Sequence, residues 1–213
     1  MGIALFFAQG AAAMFGVWVE DKGGTRFINE LANRKVRADA IMTLLNKGTK
    51  CYAVADSLGT APMEVSRPGL LAKMLERGCV RKYETLEALA EGEKINLDGL
   101  RASIAEWNKA VDEGKDAHYG RYVNKLAKPM SQGPWYASQM VPKVHHCMGG
   151  ILTDMDARAI DCASSKPIPG LFAAGEATGG VHGAVRLGSC AITDCIVYGR
   201  IAGKSAATAS PWE

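Results

Sequence analysis

The chain has 213 residues, of which 48% are hydrophobic and 22% are charged, and its formal net charge at pH 7 is +3. This size suits one domain or two small ones, and the composition is that of an ordinary globular protein. The small net charge argues against nucleic acid as a partner, and no apolar run approaches the ~18 residues that a membrane-spanning helix needs.

The N-terminal stretch MGIALFFAQGAAAMFG has an apolar patch followed by small residues, as a signal peptide does. No lysine or arginine precedes the patch, and its apolar core is short. We therefore expect this stretch to be part of the folded protein.

The cysteines are dispersed and form no CxxC pair, so a zinc ribbon, a thioredoxin-type couple and a c-type haem site are not expected. Dispersed cysteines beside apolar residues are usually buried thiols. That usage favours a reducing compartment, the cytoplasm rather than the periplasm. The cysteines are Cys51, Cys79, Cys147, Cys162, Cys190 and Cys195.

The first part of the chain predicts a strand, a turn, a helix and a second strand. Residues 16–20 (GVWVE) have strand composition, and the DKGG at 21–24 is a turn by its composition. Residues 51–55 (CYAVA) predict the second strand. Between them, apolar residues at helical spacing predict a helix. They are Ala38, Ile41, Met42 and Leu45.

From Pro62 to Gly120 the pattern is helical and amphipathic. One helix is predicted to end at Gly78, in the place of a C-terminal cap, and a short one follows around Leu86. A third helix is predicted to be capped by Asp98 and to carry an apolar stripe before Gly114 stops it. This stripe consists of Leu100, Ile104, Trp107 and Val111.

The last third of the chain predicts a ligand site. Residues 121–143, with three prolines, predict a linker, and the apolar run at 171–174 predicts a short buried strand. A glycine-rich loop and a helix that opens near Ser189 follow. Strand, glycine-rich loop and helix together bring backbone N–H groups up to an anionic or phosphorylated ligand.

Polar residues within this stretch strengthen the prediction. Glu176, His182 and Arg186 lie among apolar residues and glycines, where an unpaired charge is unfavourable. Upstream, His145 and His146 are adjacent; on a strand they would face opposite sides and have separate roles. Adjacent positions cannot converge on one ion, so we do not predict a metal site.

Two segments carry a resemblance to a known family. GLFAAGEATGGVHGAVRLG at 170–188, preceded by VHHCMGGI at 144–151, closely resembles the flavoprotein subunit of the fumarate reductase and flavocytochrome c family. Members of that family include urocanate reductases and other enoate reductases. The resemblance covers nearly all of the chain and is strongest over residues 24–34 (GTRFINELANR) and 141–204.

The resemblance implies an α+β or α/β chain that binds FAD. It would contain the C-terminal segment of a Rossmann-like FAD-binding domain and part of a mixed α+β capping domain that covers the substrate. Residues 1–24 would end a flavin-domain segment and lead into the cap, residues 25–140 would form the cap portion, and residues 141–213 would form the C-terminal FAD-binding segment.

The chain lacks the GxGxxG turn that holds a dinucleotide pyrophosphate. We therefore expect an N-terminal FAD-binding half to be supplied by the same precursor or by a separate chain. On this expectation the chain alone does not hold FAD tightly.

The implied reaction reduces the C=C bond of an α,β-unsaturated carboxylate. Flavin N5 would deliver hydride to the β-carbon, and Arg34 would donate a proton to the α-carbon. Because the pKa of arginine is above ~12, Arg34 would have to be buried and reprotonated through a relay. From its position alone, a solvated surface charge is the alternative for this residue.

The remaining roles are also implied by the resemblance. His145 and Arg186 would bind the substrate carboxylate, with Ser189 near the substrate; from the residues alone, Arg186 could instead pair with Glu176. Residues implied to contact the cofactor are His146, Glu176, Ala191 and Ile192, the last two mainly through backbone N–H groups.

Several positions depart from the family pattern. Val185 replaces an asparagine, Ser189 and Cys190 replace a Gly-Asn pair, and Lys35 stands where fumarate reductases tend to have aspartate. Residues 8–13 lack the threonine, glutamate and arginine that serve the second carboxylate and the proton relay. We therefore expect a monocarboxylate with a bulkier, less charged far end, for example aromatic, rather than fumarate. That end would reach toward Phe6, Phe7 and Phe15.

Two other functions remain open from the sequence. A dehydrogenase acting on a ketosteroid-like substrate would need a tyrosine as proton acceptor near the flavin, and no clear candidate is present. A non-catalytic fragment or subunit that completes or regulates a partner flavoprotein would explain the missing GxGxxG turn. The sequence does not identify the electron donor.

Overall fold

The computed structural model describes residues 3–210. The chain divides into two compact units, one that runs to Pro142 and one that starts at Lys143. Both units combine helices with antiparallel strands, so the predicted mixed α and β class is confirmed. Within the described residues, no helix has the length and the apolar content needed to cross a membrane.

The first unit opens with a helical segment that the sequence analysis did not assign. It consists of α1 (Ile3–Phe6), a π-helical stretch (Phe7–Ala12) and α2 (Ala13–Phe15). The alanines at 11–13 in this segment are fully buried. Alanine is the strongest helix former, and its small side chain lets neighbouring elements approach the backbone closely.

Four antiparallel strands form the sheet of this unit, in the order β1-β2-β4-β3. Strands β1 and β2 are buried along their whole length, because hydrophobic clusters cover both faces of the sheet. Alternate side chains belong to different clusters: Trp18 lies in one, and Val17 and Val19 lie in the other. The strands are β1 (Val17–Glu20), β2 (Cys51–Ala55), β3 (Arg81–Tyr83) and β4 (Trp135–Met140).

Strand β4 lies where the sequence predicted a linker, so that prediction is wrong. Ala137 of β4 is paired with Val54 of β2 on one side and with Arg81 of β3 on the other. The prolines that suggested irregular chain lie at positions 129, 134 and 142, outside the strand. Every residue of β4 therefore keeps its backbone N–H for the sheet, and the prolines bound the strand instead of breaking it.

Five longer helices pack around the sheet, three with the Trp18 cluster and two with the Val17 cluster. The predicted cap Asp98 is wrong: Asn96 caps the last of these helices by accepting a hydrogen bond from Gly99 N at 2.9 Å. Gly114, at φ 65°, ends the helix as predicted. The helices are α3 (Arg34–Asn46), α4 (Ser57–Ser66), α5 (Leu70–Glu76), α6 (Leu86–Glu93) and α7 (Leu97–Glu113).

A buried network of opposite charges holds the segment that leads into α3. Arg26 donates from Nε and Nη2 to the two carboxylate oxygens of Glu30 at 2.9 Å each, and from Nη2 to Asp116 at 2.8 Å. Arg121 reaches the same Glu30 at 3.1 Å. These four side chains are at most 1% exposed. Buried charges are tolerated only when they are paired, so each member depends on the others.

The network shifts several pKa values. Burial alone would raise the pKa of Asp116, but hydrogen bonds and charge from Arg26 hold it at about 2. Burial acts to lower the pKa of Arg26, yet its bonds to Glu30 and Asp116 raise it above its ordinary value. Burial lowers the pKa of Arg121 to about 10. The Asp116 carboxylate is therefore ionised when the unit is folded at neutral pH.

The second unit contains a two-stranded antiparallel sheet and one long helix. A buried strand was predicted at 171–174, but the strand ends at Phe172 and its preceding residues are exposed. Within the described chain it pairs with one other strand only, so most of its surface remains open. The helix begins directly after Ser189, as predicted. The elements are β5 (Arg158–Ile160), β6 (Pro167–Phe172), a 3-10 turn (Gly175–Ala177) and α8 (Cys190–Thr208).

The cysteines are less buried than expected. Of the six free thiols only Cys51 is buried, and burial raises its pKa to about 12. Cys147, Cys162 and Cys195 are exposed. Apolar residues next to these cysteines in the sequence suggested burial. The thiols are nevertheless exposed, because they lie on exposed loops and on an exposed face of α8.

We expect Gly99→Ala to lower the free energy of unfolding by about 3 kcal/mol, because overpacked sites with little freedom to relax lose that much. A Cβ at Gly99 would lie 1.6 Å from the backbone oxygen of Gly23, and backbone cannot move aside as a side chain can. Gly10→Ala is the matched control, since nothing lies within 4 Å of its Cβ position. Equal stability of the two variants in urea unfolding would contradict the close approach of α7 to the turn.

Replacement of Asp116 tests the buried network through pH. Because its folded pKa of about 2 is below the ordinary value, the carboxylate contributes stability above pH 4 that is lost as the pH falls toward 2. We expect Asp116→Asn to be less stable than the parent by about 2 kcal/mol at neutral pH and the difference to shrink between pH 4 and 2. Urea unfolding at stepped pH measures it, with the exposed Asp112→Asn as control. A pH-independent difference would contradict the assignment.

Candidate functional site

Arg34 is the first residue of α3 and is exposed in this structure. The helix is capped by Asn33, whose side chain accepts a hydrogen bond from Val36 N at 3.0 Å. A cation at a helix N-terminus opposes the helix dipole, so the local structure gives no reason for an arginine here. The burial expected for Arg34 is not provided by the described residues.

One turn further along α3, Arg37 forms contacts that the sequence analysis missed. Its guanidinium lies 5.5 Å from the centre of the Trp18 ring, and Nη1 donates to Glu30 O at 3.1 Å. Trp18 in turn donates from its indole nitrogen to Ala8 O in the π-helical stretch at 3.0 Å. Burial lowers the pKa of Arg37, and the positive charge of Arg34 lowers it further. These contacts connect α3 to the N-terminal helical segment.

In the second unit, Glu176 connects the 3-10 turn to residues 144–147, which carry His145 and His146 and are called the two-histidine segment below. Its Oε1 accepts a hydrogen bond from Cys147 N at 3.0 Å, and its Oε2 lies 3.3 Å from His146 Nδ1. The backbone bond from Cys147 lowers the pKa of Glu176, and the charges of His146, Arg186 and His145 act in the same direction. Glu176 is therefore an ionised acceptor next to an imidazole.

The histidine pair is not on a strand, because residues 144–147 form irregular chain. The expected difference between the two side chains is nevertheless present. His145 is exposed, whereas the His146 side chain is only 6% exposed and its Nε2 has no hydrogen-bond partner among the described residues. His146 thus presents a buried, unused polar atom, and His145 is available to solvent.

The glycines that follow the histidines allow two loops to meet. Ile151 N donates to Ala177 O at 2.9 Å, and Gly179 N donates to Ile151 O at 3.1 Å. A Cβ at Gly150 would lie 2.3 Å from Ala177 O. The neighbouring loop therefore requires the absence of a Cβ at Gly150.

Arg186 is buried at 7% relative exposure, within the glycine-rich loop. Its Nη1 donates to Leu187 O at 2.7 Å, and its buried Nε has no partner among the described residues. No ion pair joins Arg186 to Glu176 in the described part of the chain, so that structural alternative is not supported. The guanidinium retains donors for an anionic ligand.

The loop ends at the start of α8. Ser189 precedes the helix with φ 68° and ψ −6°, a left-handed conformation, and its side chain makes no capping hydrogen bond. Ala191 and Ile192 lie in the first turn, and Ile192 is 71% exposed. The first backbone N–H groups of a helix lack intrahelical partners and favour acceptors or negative charge.

Asp194 was missed by the sequence analysis, although one acidic residue inside the apolar run AITDCIV was a usable signal. Its side chain is 4% exposed, and its Oδ2 lies 3.3 Å from Nε2 of His182. The His182 ring meets the His146 ring edge to face, with centroids 5.3 Å apart. The buried polar groups of this unit are therefore clustered.

Comparisons with known proteins agree with the motifs. A family model described as "FAD binding domain" matches residues 2–192. The chain belongs to the FAD-binding-domain family. It is 40% identical over 192 residues to a probable fumarate reductase of Shewanella frigidimarina. The matched region makes up 90% of this chain and 31% of that relative. It is 35% identical over 181 residues to the acrylate reductase flavoprotein subunit of Shewanella woodyi, covering 85% of this chain and 35% of that protein.

Solved structures show the same relationship. The open conformation of a flavocytochrome c3 fumarate reductase has 36% identity and a TM-score of 0.68, covering 93% of this chain and 33% of that one. A 3-ketosteroid Δ1-dehydrogenase from Sterolibacterium denitrificans has a TM-score of 0.72, and the match covers 95% of this chain and 40% of the dehydrogenase chain. Because the identity is only 24%, this likeness shows the fold alone. The resemblance to the fumarate reductase family is confirmed, and the chain spans about a third of the length of these relatives.

FAD, predicted from the resemblance, is the cofactor that the family description names. The second unit suits such a ligand. Buried nitrogens of His146 and Arg186 have no hydrogen-bond partner among the described residues, and Glu176 is an ionised acceptor beside them. The helix that starts after Ser189 adds free backbone donors. Donors and acceptors in one cluster fit a polar ring system or a ribityl chain.

The left-handed Ser189 gives a test of the local geometry. The conformation costs a residue with a Cβ about 1–2 kcal/mol, so Ser189→Gly should raise the free energy of unfolding by about 1 kcal/mol. The matched control is Ser205→Gly inside α8, which should lower it by about 0.5 kcal/mol because glycine is a poor helix former. Thermal unfolding of both variants measures the difference. Destabilisation by both would contradict the left-handed conformation.

Proposed function

We propose that this chain is part of an FAD-dependent reductase that adds two hydrogens across the C=C bond of an α,β-unsaturated monocarboxylate. The observation that supports it best is the cluster of Glu176, His146 and Arg186, in a family whose relatives include fumarate and acrylate reductases. The bound cofactor supplies the hydride. The other chemical roles belong to side chains of this chain.

Arg186 and His145 bind the substrate carboxylate in this proposal. A planar guanidinium can form two parallel hydrogen bonds with a carboxylate, which fixes both the position and the orientation of the acid. Nη1 of Arg186 is engaged with its own loop and the buried Nε is free. His145 is exposed and can add a third donor, and Ser189 lies at the end of the same loop. Polarisation of the carboxylate makes the β-carbon more electrophilic.

Arg34 donates the proton to the α-carbon. A permanent cation beside that carbon also stabilises the negative charge that develops there as hydride is added. The exposure of Arg34 in this structure means that substrate and a closed cap must exclude water before the charge acts at full strength.

The relay that would reprotonate Arg34 differs from the one in fumarate reductases. Residues 8–13 contain no titratable side chain, and the alanines at 11–13 are fully buried. These residues also lack the second carboxylate clamp, which supports a monocarboxylate over fumarate. A nearby cavity of about 380 Å³ is lined partly by Phe6, Gln9, Phe15 and Arg67, large enough for a small apolar or aromatic group. Phe7, expected to join this pocket, is fully buried in the core instead.

Cofactor contacts are proposed for four residues of the second unit. His146 would form a hydrogen bond through its free Nε2, Glu176 would accept from a hydroxyl of the ribityl chain, and Ala191 and Ile192 would offer backbone N–H groups. The dinucleotide phosphates need the GxGxxG half, which we propose lies on the same precursor or on a partner chain. The electron donor is not specified by these residues.

Two other functions are less well supported. A ketosteroid dehydrogenase shares the fold at 24% identity, whereas relatives at 40% and 35% identity are named as a fumarate reductase and an acrylate reductase. A subunit that only completes a partner flavoprotein would not need Arg34 at an unfavourable helix position. Visible absorption of the purified protein separates a flavin-containing enzyme from a colourless accessory chain.

Arg34→Ala tests the catalytic proposal. In FAD-loaded protein, isolated with any further chain that it needs, we expect the rate at which an enoate oxidises reduced flavin to fall by at least about a hundredfold, because a positioned acid contributes that much. The flavin content should be unchanged. The neighbouring exposed cation gives the control variant, Lys35→Ala, which should keep its rate.

The substrate panel for this experiment contains fumarate, acrylate and aryl-substituted acrylates. Full activity of Arg34→Ala would overturn its role as proton donor. A strong preference of the parent protein for fumarate over every monocarboxylate would overturn the proposed substrate class and leave the reductase assignment intact.

A further inference from the structure

His182 and Asp194 form a buried pair to which no role has yet been given. The side chains are 12% and 4% exposed, and their closest atoms, Nε2 and Oδ2, are 3.3 Å apart. Neither Oδ1 of Asp194 nor Nε2 of His182 has a hydrogen-bond partner among the described residues, so the two side chains are in contact without a formed hydrogen bond. A buried carboxylate is strongly unfavourable unless a positive or hydrogen-bonding group faces it. His182 is the group that faces Asp194.

The pair is the end of a chain of four side chains. Glu176 lies 3.3 Å from His146, the His146 and His182 rings meet at 74° with centroids 5.3 Å apart, and His182 faces Asp194. These four residues come from four segments: the 3-10 turn, the two-histidine segment, the glycine-rich loop and α8. Side-chain contacts therefore connect these four segments, which the two-stranded sheet does not join.

The glycine-rich loop depends on such a connection. Residues 180–188 contain no helix or strand, and the loop has left-handed glycines at 180 and 183. The described backbone hydrogen bonds inside it are long, at 3.5 Å from Gly183 N to Gly180 O and 3.4 Å from Cys190 N to Leu187 O. Arg186 bonds only to the carbonyl of its own neighbour among the described residues. The described side-chain contacts between this loop and α8 include His182 with Asp194 and Cys190 Sγ with Gly188 O, the latter at 3.6 Å.

We propose that His182 and Asp194 are positioning residues, which hold the glycine-rich loop against α8 so that Arg186 meets a carboxylate ligand in a fixed orientation. This inference rests on the proposed function, in which Arg186 binds the acid. The pair does not touch the substrate; it acts through Arg186. The groups facing His182 are Asp194 from α8 and His146 from the two-histidine segment, with Glu176 behind His146.

The first test is a set of binding measurements on the FAD-loaded protein. We expect His182→Gln to weaken binding of propionate, the saturated acid, by about tenfold, as read from the flavin absorption spectrum. With an enoate, KM should rise by a similar factor and kcat should change by less than about twofold, because uniform binding is lost. Asp194→Asn should have the same effect, and Asp194→Glu should restore part of the affinity.

A double mutant separates positioning from general damage. If His182 acts through Arg186, then His182→Gln should have no further effect on propionate affinity in an Arg186→Gln protein. Additive losses would overturn the proposal. The control pair is His118 and Glu106, which lie 3.1 Å apart with the histidine side chain 64% exposed. His118→Gln should change neither affinity nor KM.

Hydrogen exchange of residues 180–189 in the same FAD-loaded protein gives a readout that needs no substrate. We expect His182→Gln to speed exchange in this loop by about tenfold and to leave the sheet of the first unit unchanged. Unchanged loop exchange, or faster exchange with unchanged propionate affinity, would overturn the inference. If the parent protein reduces no enoate, the proposed function fails, while exchange and propionate binding still decide the role of the pair.

Discussion

The buried guanidinium of Arg26 is the interaction on which the first unit depends. It is shared by Glu30 and Asp116 in the interior, and Arg121, which lies beyond α7 in the chain, completes the network. None of these buried charges is stable without its partners. The ion pairs therefore fix the position of the segment that leads to Arg34. The sequence motif around Arg26 thus has a structural explanation that is independent of catalysis.

The second unit uses a different principle. Its two short strands form little hydrogen-bonded structure, and the site is assembled by close backbone approach at Gly150 and by the side-chain series from Glu176 to Asp194. Several polar atoms in that series have no partner among the described residues. Unpaired buried polar atoms are unfavourable in a folded protein, and they are typical of sites whose partner is a ligand. These atoms therefore lower the stability of the unit, and they also indicate a ligand-binding site.

The family assignment and the residues together restrict the chemistry more than either alone. Family membership supplies FAD, and the proposed reduction of an unsaturated acid rests on relatives that are named as fumarate and acrylate reductases. The proposal of one substrate carboxylate instead of two rests on the N-terminal helical segment, where the buried alanines offer no group that would hold a second.

The sequence by itself determined the local features: strands β1 and β2, the start of α8 after Ser189, the glycine-rich loop, and the polar residues that resemble a flavin site. Such features depend on side-chain period, glycine and motif spacing, which are local properties. Only the tertiary structure decided that β4 fills the centre of the sheet, that Asn96 caps α7, and that Asp194 faces His182. These depend on contacts between residues far apart in the chain, and neither hydrophobic period nor composition specifies which distant groups will meet.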